Sequence, residues 1–194
     1  MVLGGSERIR EIVLSLRNFS RLDEAEKKIV DIHEGIDSTL LILQHRLKGH
    51  GKHQEIHGIK EYGNIPLIEC YPGQLNQVFM NIIANAIDAF EMDNLDYKNR
   101  INTDNIITIR TNILQENSQL IIEIKDNRPG ITENITKYLF DPFFTTKPVG
   151  KGTGLGLSIS YKIVVEKHGG ELKCLSEIGK GTSFLILIPL DQTK

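Results

Sequence analysis

Apolar positions change their period several times along this chain of 194 residues, and each change marks an element. Ile9, Ile12, Val13, Leu16 and Phe19 recur at steps of three and four, with Arg8, Arg10, Glu11 and Arg17 between them. That spacing predicts an amphipathic helix with Ser6 as its N-cap. Residues 21–28 are charged and read as a junction, and 29–31 as a short strand. A second helix is expected from Asp31 or Ile32 through Ile36, Leu40, Leu41, Leu43 and Leu47. The polar stretch 48–57 reads as a loop, and strands are expected over 58–62 and 67–71. Pro72 and Gly73 predict a turn. The helix after it, from Gln74 to Phe90, carries Leu75, Val78, Phe79, Ile82, Ile83, Ala86 and Ile87 on one face. Residues 91–105 are polar and read as a loop. Strict alternation over 106–114 and 120–125 predicts one β-hairpin, and over 171–177 and 182–190 a second, turning at 178–181. Between the hairpins, 157–168 returns to helical spacing and stops at Gly169 and Gly170.

Composition narrows the class. A formal net charge of -2 lacks the basic excess of a generic nucleic-acid binder. No apolar run approaches the roughly 20 residues of a membrane span, and the N-terminus has no signal-peptide core. Cys70 and Cys174 are far apart with no metal-ligand spacing, so they read as free thiols in a reducing compartment, hence a cytoplasmic location. His50, His53 and His57 have no carboxylate or cysteine at a ligand spacing and read as part of a solvated loop. The length suits one domain plus a small appendage. The apolar stripe of the first helix reads either as a face packed on its own domain or, the favoured reading, as half of a helical hairpin or bundle whose partner helix lies outside this chain.

Four stretches carry candidate chemistry. Residues 150–156 read GKGTGLG and empty into the 157–168 helix. Such a run buries almost no side chain, but it brings backbone N–H groups to the positive end of a helix, where a phosphate binds. It is neither a Walker loop nor a strand-borne dinucleotide fingerprint. Asn81 and Asn85, four apart, share one face of an otherwise apolar helix, where unpartnered amides are costly. An amide oxygen is a hard ligand suited to Mg²⁺. Asp126 ends a predicted strand, where an aspartate either forms the turn or points into a cleft to accept a hydrogen bond from a ligand amino group. Phe140, Phe143 and Phe144 crowd beside the glycine-rich loop, as anchors of a lid or simply as core, with Lys147 in reach of a phosphate.

The order of these pieces is NxxxN on a helix, an Asp followed by Gly130 after a strand, FDPFF, then GTGLGL. It resembles the N, G1, F and G2 boxes of the catalytic ATP-binding domain of sensor histidine kinases, within the GHKL group of ATPases and kinases. Gly179-Lys180-Gly181-Thr182-Ser183-Phe184 resembles the last glycine motif of that family, and residues 6–23 resemble the second helix of the kinase dimerisation hairpin. The resemblance implies an α+β fold: a two-layer α/β sandwich with a mixed, mostly antiparallel sheet, preceded by the N-terminal amphipathic helix. It divides the chain into a hairpin remnant, 1–28, and a catalytic domain, 29–194. It implies ATP and Mg²⁺ as ligands, with Asn85 on the metal and Asn81 beside it near the phosphates. Asp126 would bind the adenine amino group, Gly130 would let the backbone approach the base, and Thr182 would support that contact. Lys147, Gly152, Thr153, Gly154, Leu155, Gly156 and Leu157 would form the phosphate-facing lid and helix start. The implied partners are the phosphoacceptor hairpin of a parent kinase, a response regulator, and a second copy through the N-terminal helix. The resemblance is compatible with a membrane-attached parent kinase.

Two departures qualify the likeness. Arg128 stands where the G1 pattern has its first glycine, and at a positive φ an arginine would cost about 1 kcal/mol or more. Its guanidinium has a phosphate as an alternative partner. The phosphoacceptor box, a histidine followed by an acid, has no counterpart upstream of Ser6. His33-Glu34 imitates it but follows the hairpin-like helix, so no autophosphorylation in cis is expected. Asn81 occupies the position at which the gyrase-type and chaperone ATPases carry a water-activating acid, which disfavours hydrolysis and favours transfer to a histidine. The rival expectation is a non-catalytic nucleotide-binding or interaction module, for which Arg128 is the main argument.

Overall fold

A computed structural model describes residues 26–49, 54–93, 104–148 and 152–190. The expected N-terminal helix, His50, His53, Gly150 and Lys151 lie outside the described residues. The elements in order are β1 (Lys28–Val30), α1 (Ile32–Leu47), β2 (Ile56–Tyr62), β3 (Ile68–Cys70), α2 (Pro72–Asp93), β4 (Asn105–Leu114) and β5 (Gln119–Asp126). They continue with α3 (Glu133–Thr136), α4 (Gly156–Tyr161), β6 (Glu171–Glu177) and β7 (Gly181–Pro189). A five-stranded sheet has the order β2-β4-β5-β7-β6, and β1 pairs with β3 in a separate ribbon. Only β2–β4 is parallel within the five; the other three pairings are antiparallel.

One face of the sheet is apolar and the other charged, as period-two alternation requires. Ile107 and Ile109 on β4, Leu120, Ile122 and Ile124 on β5, and Phe184, Ile186 and Ile188 on β7 join one core with the helices. Against them α2 turns Leu75, Val78, Phe79, Ile82, Ile83, Ile87 and Phe90, each at most 1% exposed. Each such side chain contributes roughly 1.5–3 kcal/mol on leaving water. On the opposite face Arg110 stands in register between Glu61 and Glu123 and pairs with both. These groups are solvated, so the row favours solubility more than stability. The result is the expected two-layer α/β sandwich.

Several boundaries differ from expectation for local reasons. Pro72 opens α2 instead of turning before it, because a proline at the first helical position gives up an N–H that has no acceptor there anyway. The helix continues to Asp93, into residues expected to be loop. Strand β2 begins at Ile56, so His57 is in a strand, and Asn105 opens β4 as a buried residue instead of closing a loop. Asp31 caps α1, its carboxylate accepting from the His33 N–H at 2.8 Å. His33 itself stacks on Tyr62 with centroids 4.1 Å apart and bonds Thr111 Oγ1 at 2.8 Å. Cys70 is buried and Cys174 half-buried, both free, and burial pushes each thiol up to about 12.

Candidate functional site

The polar stripe of α2 faces a cavity of about 410 Å³, a size suited to a small-molecule ligand. Asn81, Asn85 and Asp88 line it at steps of four and three, with Ala84 and Ala89 beside them. The amides therefore sit on the one face of α2 that does not enter the core. Asn81 Nδ2 donates to the Gly156 carbonyl at 2.9 Å and to Ser160 Oγ at 3.2 Å, tying α2 to the start of α4. Asn85 Oδ1 accepts from the Lys147 ammonium at 2.9 Å.

The sheet supplies the opposite wall. Asp126, at the end of β5, is 5% exposed and lines the cavity with Thr182 and Phe184 of the adjoining β7. Its Oδ1 accepts the Arg128 N–H at 2.9 Å and the Thr182 N–H at 3.3 Å. Burial nevertheless outweighs those bonds and raises the carboxyl above its ordinary value. A buried carboxylate held on one oxygen at a cavity wall is suited to take a donor from a ligand.

Residues 131–148 and 152–157 cover the cavity. Ile131, Leu139, Phe144 and Leu157 give it an apolar lining, and Thr145, Lys147, Gly152, Thr153, Gly154 and Gly156 a polar one. Gly154 has φ +65°, and a Cβ there would stand 2.4 Å from the Phe143 backbone carbon. The Phe143 N–H donates to the Gly154 carbonyl at 2.9 Å, so the two strands of the lid are locked at a point only glycine fits. The three aromatics part company: Phe140 packs on Tyr161, Phe144 faces the cavity, and Phe143 is 74% exposed at φ +67°.

Ten of the twelve sequence-derived ATP-site residues, Asn81, Asn85, Asp126, Lys147, Gly152, Thr153, Gly154, Gly156, Leu157 and Thr182, line this one cavity. Gly130 and Leu155 do not. Gly130 has φ +80° and packs so closely on β6 that a Cβ would meet the Glu177 carbonyl oxygen at 2.4 Å. Its glycine is required by the turn against β6. Leu155 precedes α4 and donates its N–H to Thr153 Oγ1 at 3.3 Å. Arg128 also differs from expectation. It is not among the described residues of positive φ, so the backbone penalty does not arise. Its side chain is outside the cavity lining, 5% exposed, with the guanidinium 4.1 Å from the Phe90 ring centre and Nη2 donating to Asn105 Oδ1 at 2.7 Å. A phosphate partner is thereby replaced by an internal one.

Asp88 is the residue that motif reasoning passed over. Its signal was present, since it continues the Asn81–Asn85 stripe by one further helical step. Phe144 was legible as a lid anchor or core residue, and Thr145 and Thr146 only as its neighbours in sequence.

Residues 70–192 match the family model of histidine kinase-, DNA gyrase B-, and HSP90-like ATPases. This chain belongs to that family. Within it the resemblance is to sensor histidine kinases. Sporulation kinase E of Bacillus subtilis is 43% identical over 130 residues, 66% of this chain and 15% of that protein. The sensor kinase CckA of Brucella abortus is 34% identical over 187 residues, 95% of this chain and 19% of that protein. The chain thus spans about a fifth or less of the length of these two relatives. The solved catalytic domain of histidine kinase ThkA superposes with a TM-score of 0.67 at 26% identity, covering 85% of this chain and 96% of that one. The family's catalytic domain is therefore present here as the whole two-layer sandwich. Among the described residues no helix is long and apolar enough to cross a membrane.

Proposed function

We propose that this chain binds Mg-ATP in the α2–lid cavity and, as the catalytic part of a two-component sensor kinase, passes the terminal phosphoryl group to a histidine. The observation that carries the reading is the pairing of walls in one cavity: an amide stripe on α2 facing the lid, and the buried Asp126 across from it. Asp126 accepts the adenine amino hydrogen, with Thr182 beside it. Asn81, Lys147, Gly152, Thr153, Gly154, Gly156 and Leu157 surround the phosphates. Asn85 Oδ1 already faces an ammonium at 2.9 Å, so its donor chemistry fits a cation, and Mg²⁺ is assigned to it. When bound, the metal supplies neutralisation of phosphate charge.

Acceptance by histidine, not water, is favoured by Asn81. Its amide is committed as a donor to Gly156 and Ser160, and an amide cannot take a proton from water. His33 is engaged by Tyr62 and Thr111 away from the cavity lining, which supports an acceptor supplied by a separate hairpin. The sequence ahead of β1 is assigned to that hairpin, residues 6–23 as its second helix on their apolar spacing, while Lys28 pairs with Cys70 in β1. A response regulator is the downstream partner and the cytoplasm the location. With Arg128 turned inward, no observation favours a non-catalytic module.

Titration calorimetry of ATP with and without Mg²⁺, on this chain and on Asp126→Asn, tests the proposal. Micromolar binding that strengthens with Mg²⁺ and disappears in the variant is the expected result. A folded protein that does not bind ATP overturns it. Incubation with ATP is expected to label a separately added histidine hairpin and not this chain alone.

A further inference from the structure

From the cavity wall inward runs a chain of charges of which the motif and the proposed chemistry use only Lys147. Lys147 of the lid bonds the Asp88 carboxylate as well as Asn85 Oδ1. The other oxygen of Asp88 accepts from Arg46 Nη2 of α1 at 2.6 Å. Arg46 is held in turn by Glu91, one turn further along α2, at 2.9 Å. All four side chains are between 25% and 38% exposed, so they are partly desolvated and hydrogen-bonded in sequence.

We infer that Asp88, braced by Arg46, is a positioning residue that holds the Lys147 ammonium at the phosphate end of the cavity and so sets preference for a triphosphate over a diphosphate. The inference rests on the ATP reading above. A free lysine on a lid spreads over many rotamers, and fixing it on binding costs affinity. Here that ordering is done before the ligand arrives. If a metal takes Asn85 Oδ1, Lys147 gives up one of its two anchors, and Asp88 keeps it in place to meet the last phosphate. A carboxylate near phosphates would by itself repel them. Arg46 removes that objection, because the group as a whole contains two cations and two carboxylates and carries no net charge.

The sign of one substitution separates positioning from plain electrostatics. Asp88→Asn deletes a negative charge beside the phosphates, so on charge alone ATP would bind more tightly. Positioning requires the reverse: ATP affinity falls about tenfold, while ADP, lacking the phosphate that Lys147 meets, changes less than twofold. Lys147→Met should lose ATP affinity to the same degree, and the double variant no more than either alone. Calorimetry with ATP and ADP reads all three. Unchanged or tighter ATP binding by Asp88→Asn, or equal losses for ATP and ADP, would overturn the inference. Should Asp88→Asn fail to fold, Lys147→Met decides alone, and an unchanged ATP-to-ADP ratio in it sinks the idea. If the unaltered chain binds neither nucleotide, it is the ATP assignment that fails, which this design distinguishes.

Discussion

Asp126 is a residue whose fitness for a ligand is visible as a cost to the unliganded fold. Its carboxyl lies above the ordinary value because burial outweighs two N–H donors. A group raised in this way contributes stability that is fully present below its unfolded value and is lost as pH rises through the folded one. The empty domain therefore bears the cost of a buried ionisable carboxyl that an amide would not. Asp126→Asn keeps an oxygen for the Arg128 and Thr182 N–H groups, so it should melt about 2–4 °C higher, the response to about 1 kcal/mol in a domain of this size. The same variant should lose ATP. A calorimetric scan with no rise in Tm would show that the carboxylate is already compensated. Arg128 behaves oppositely, since its role is internal. Arg128→Met retains bulk over Phe90 but leaves the buried Asn105 Oδ1 without that donor, a loss of about 1–3 kcal/mol in urea unfolding. Arg128→Gly, which restores the family residue, should lose more, because the contact with the ring goes too.

At the scale of elements, what could be read from the sequence was whatever depends on period. The face of α2 was legible because eight apolar residues repeat at helical spacing, and both hairpins were legible because alternation makes one face of the sheet. Contacts between distant elements left no such trace. Nothing near Arg128 in sequence indicates Phe90 or Asn105, and nothing near Lys147 indicates Arg46. The join between α4 and α2 shows the same limit. His168 is 3% exposed, its Nδ1–H donating to the Ile163 carbonyl at 2.8 Å and its Nε2 accepting the Tyr71 N–H at 3.1 Å. Both partners have fixed roles, so the neutral tautomer is fixed, and the helix widens into a π-helical turn over Lys162–Lys167 just before it. Burial depresses the imidazole below its usual value. Such a group contributes stability present above its unfolded value, about 6.5, and lost as pH falls through the lower folded one. The urea midpoint should therefore drop between pH 7 and 5 more steeply than in His168→Gln, which cannot titrate there. Parallel profiles would remove His168 from the acid response.

Among the described residues the proposed binding groups are divided between two layers. Asn81, Asn85 and Asp88 belong to the helical layer, Asp126 and Thr182 to the sheet, and the lid residues 131–148 and 152–155 fall between β5 and α4 in the chain. The apolar core joins the layers but stops at the cavity, where α2 presents amides and alanines in place of large side chains. A ligand that touches Asp126 at one end and Asn85 at the other completes the contact between layers that the core leaves open. Binding to the folded state alone stabilises by mass action, about 2.7 kcal/mol at a hundredfold excess over Kd. For a domain of this size that is a Tm rise of roughly 5–11 °C. Mg-ATP should produce that rise, and ADP a smaller one, since it leaves Lys147 with Asp88 alone. In Asp126→Asn, whose empty form is already the more stable, neither nucleotide should raise Tm. A shift of equal size in that variant would mean that the phosphates alone join the layers and that the base makes no essential contact with the sheet.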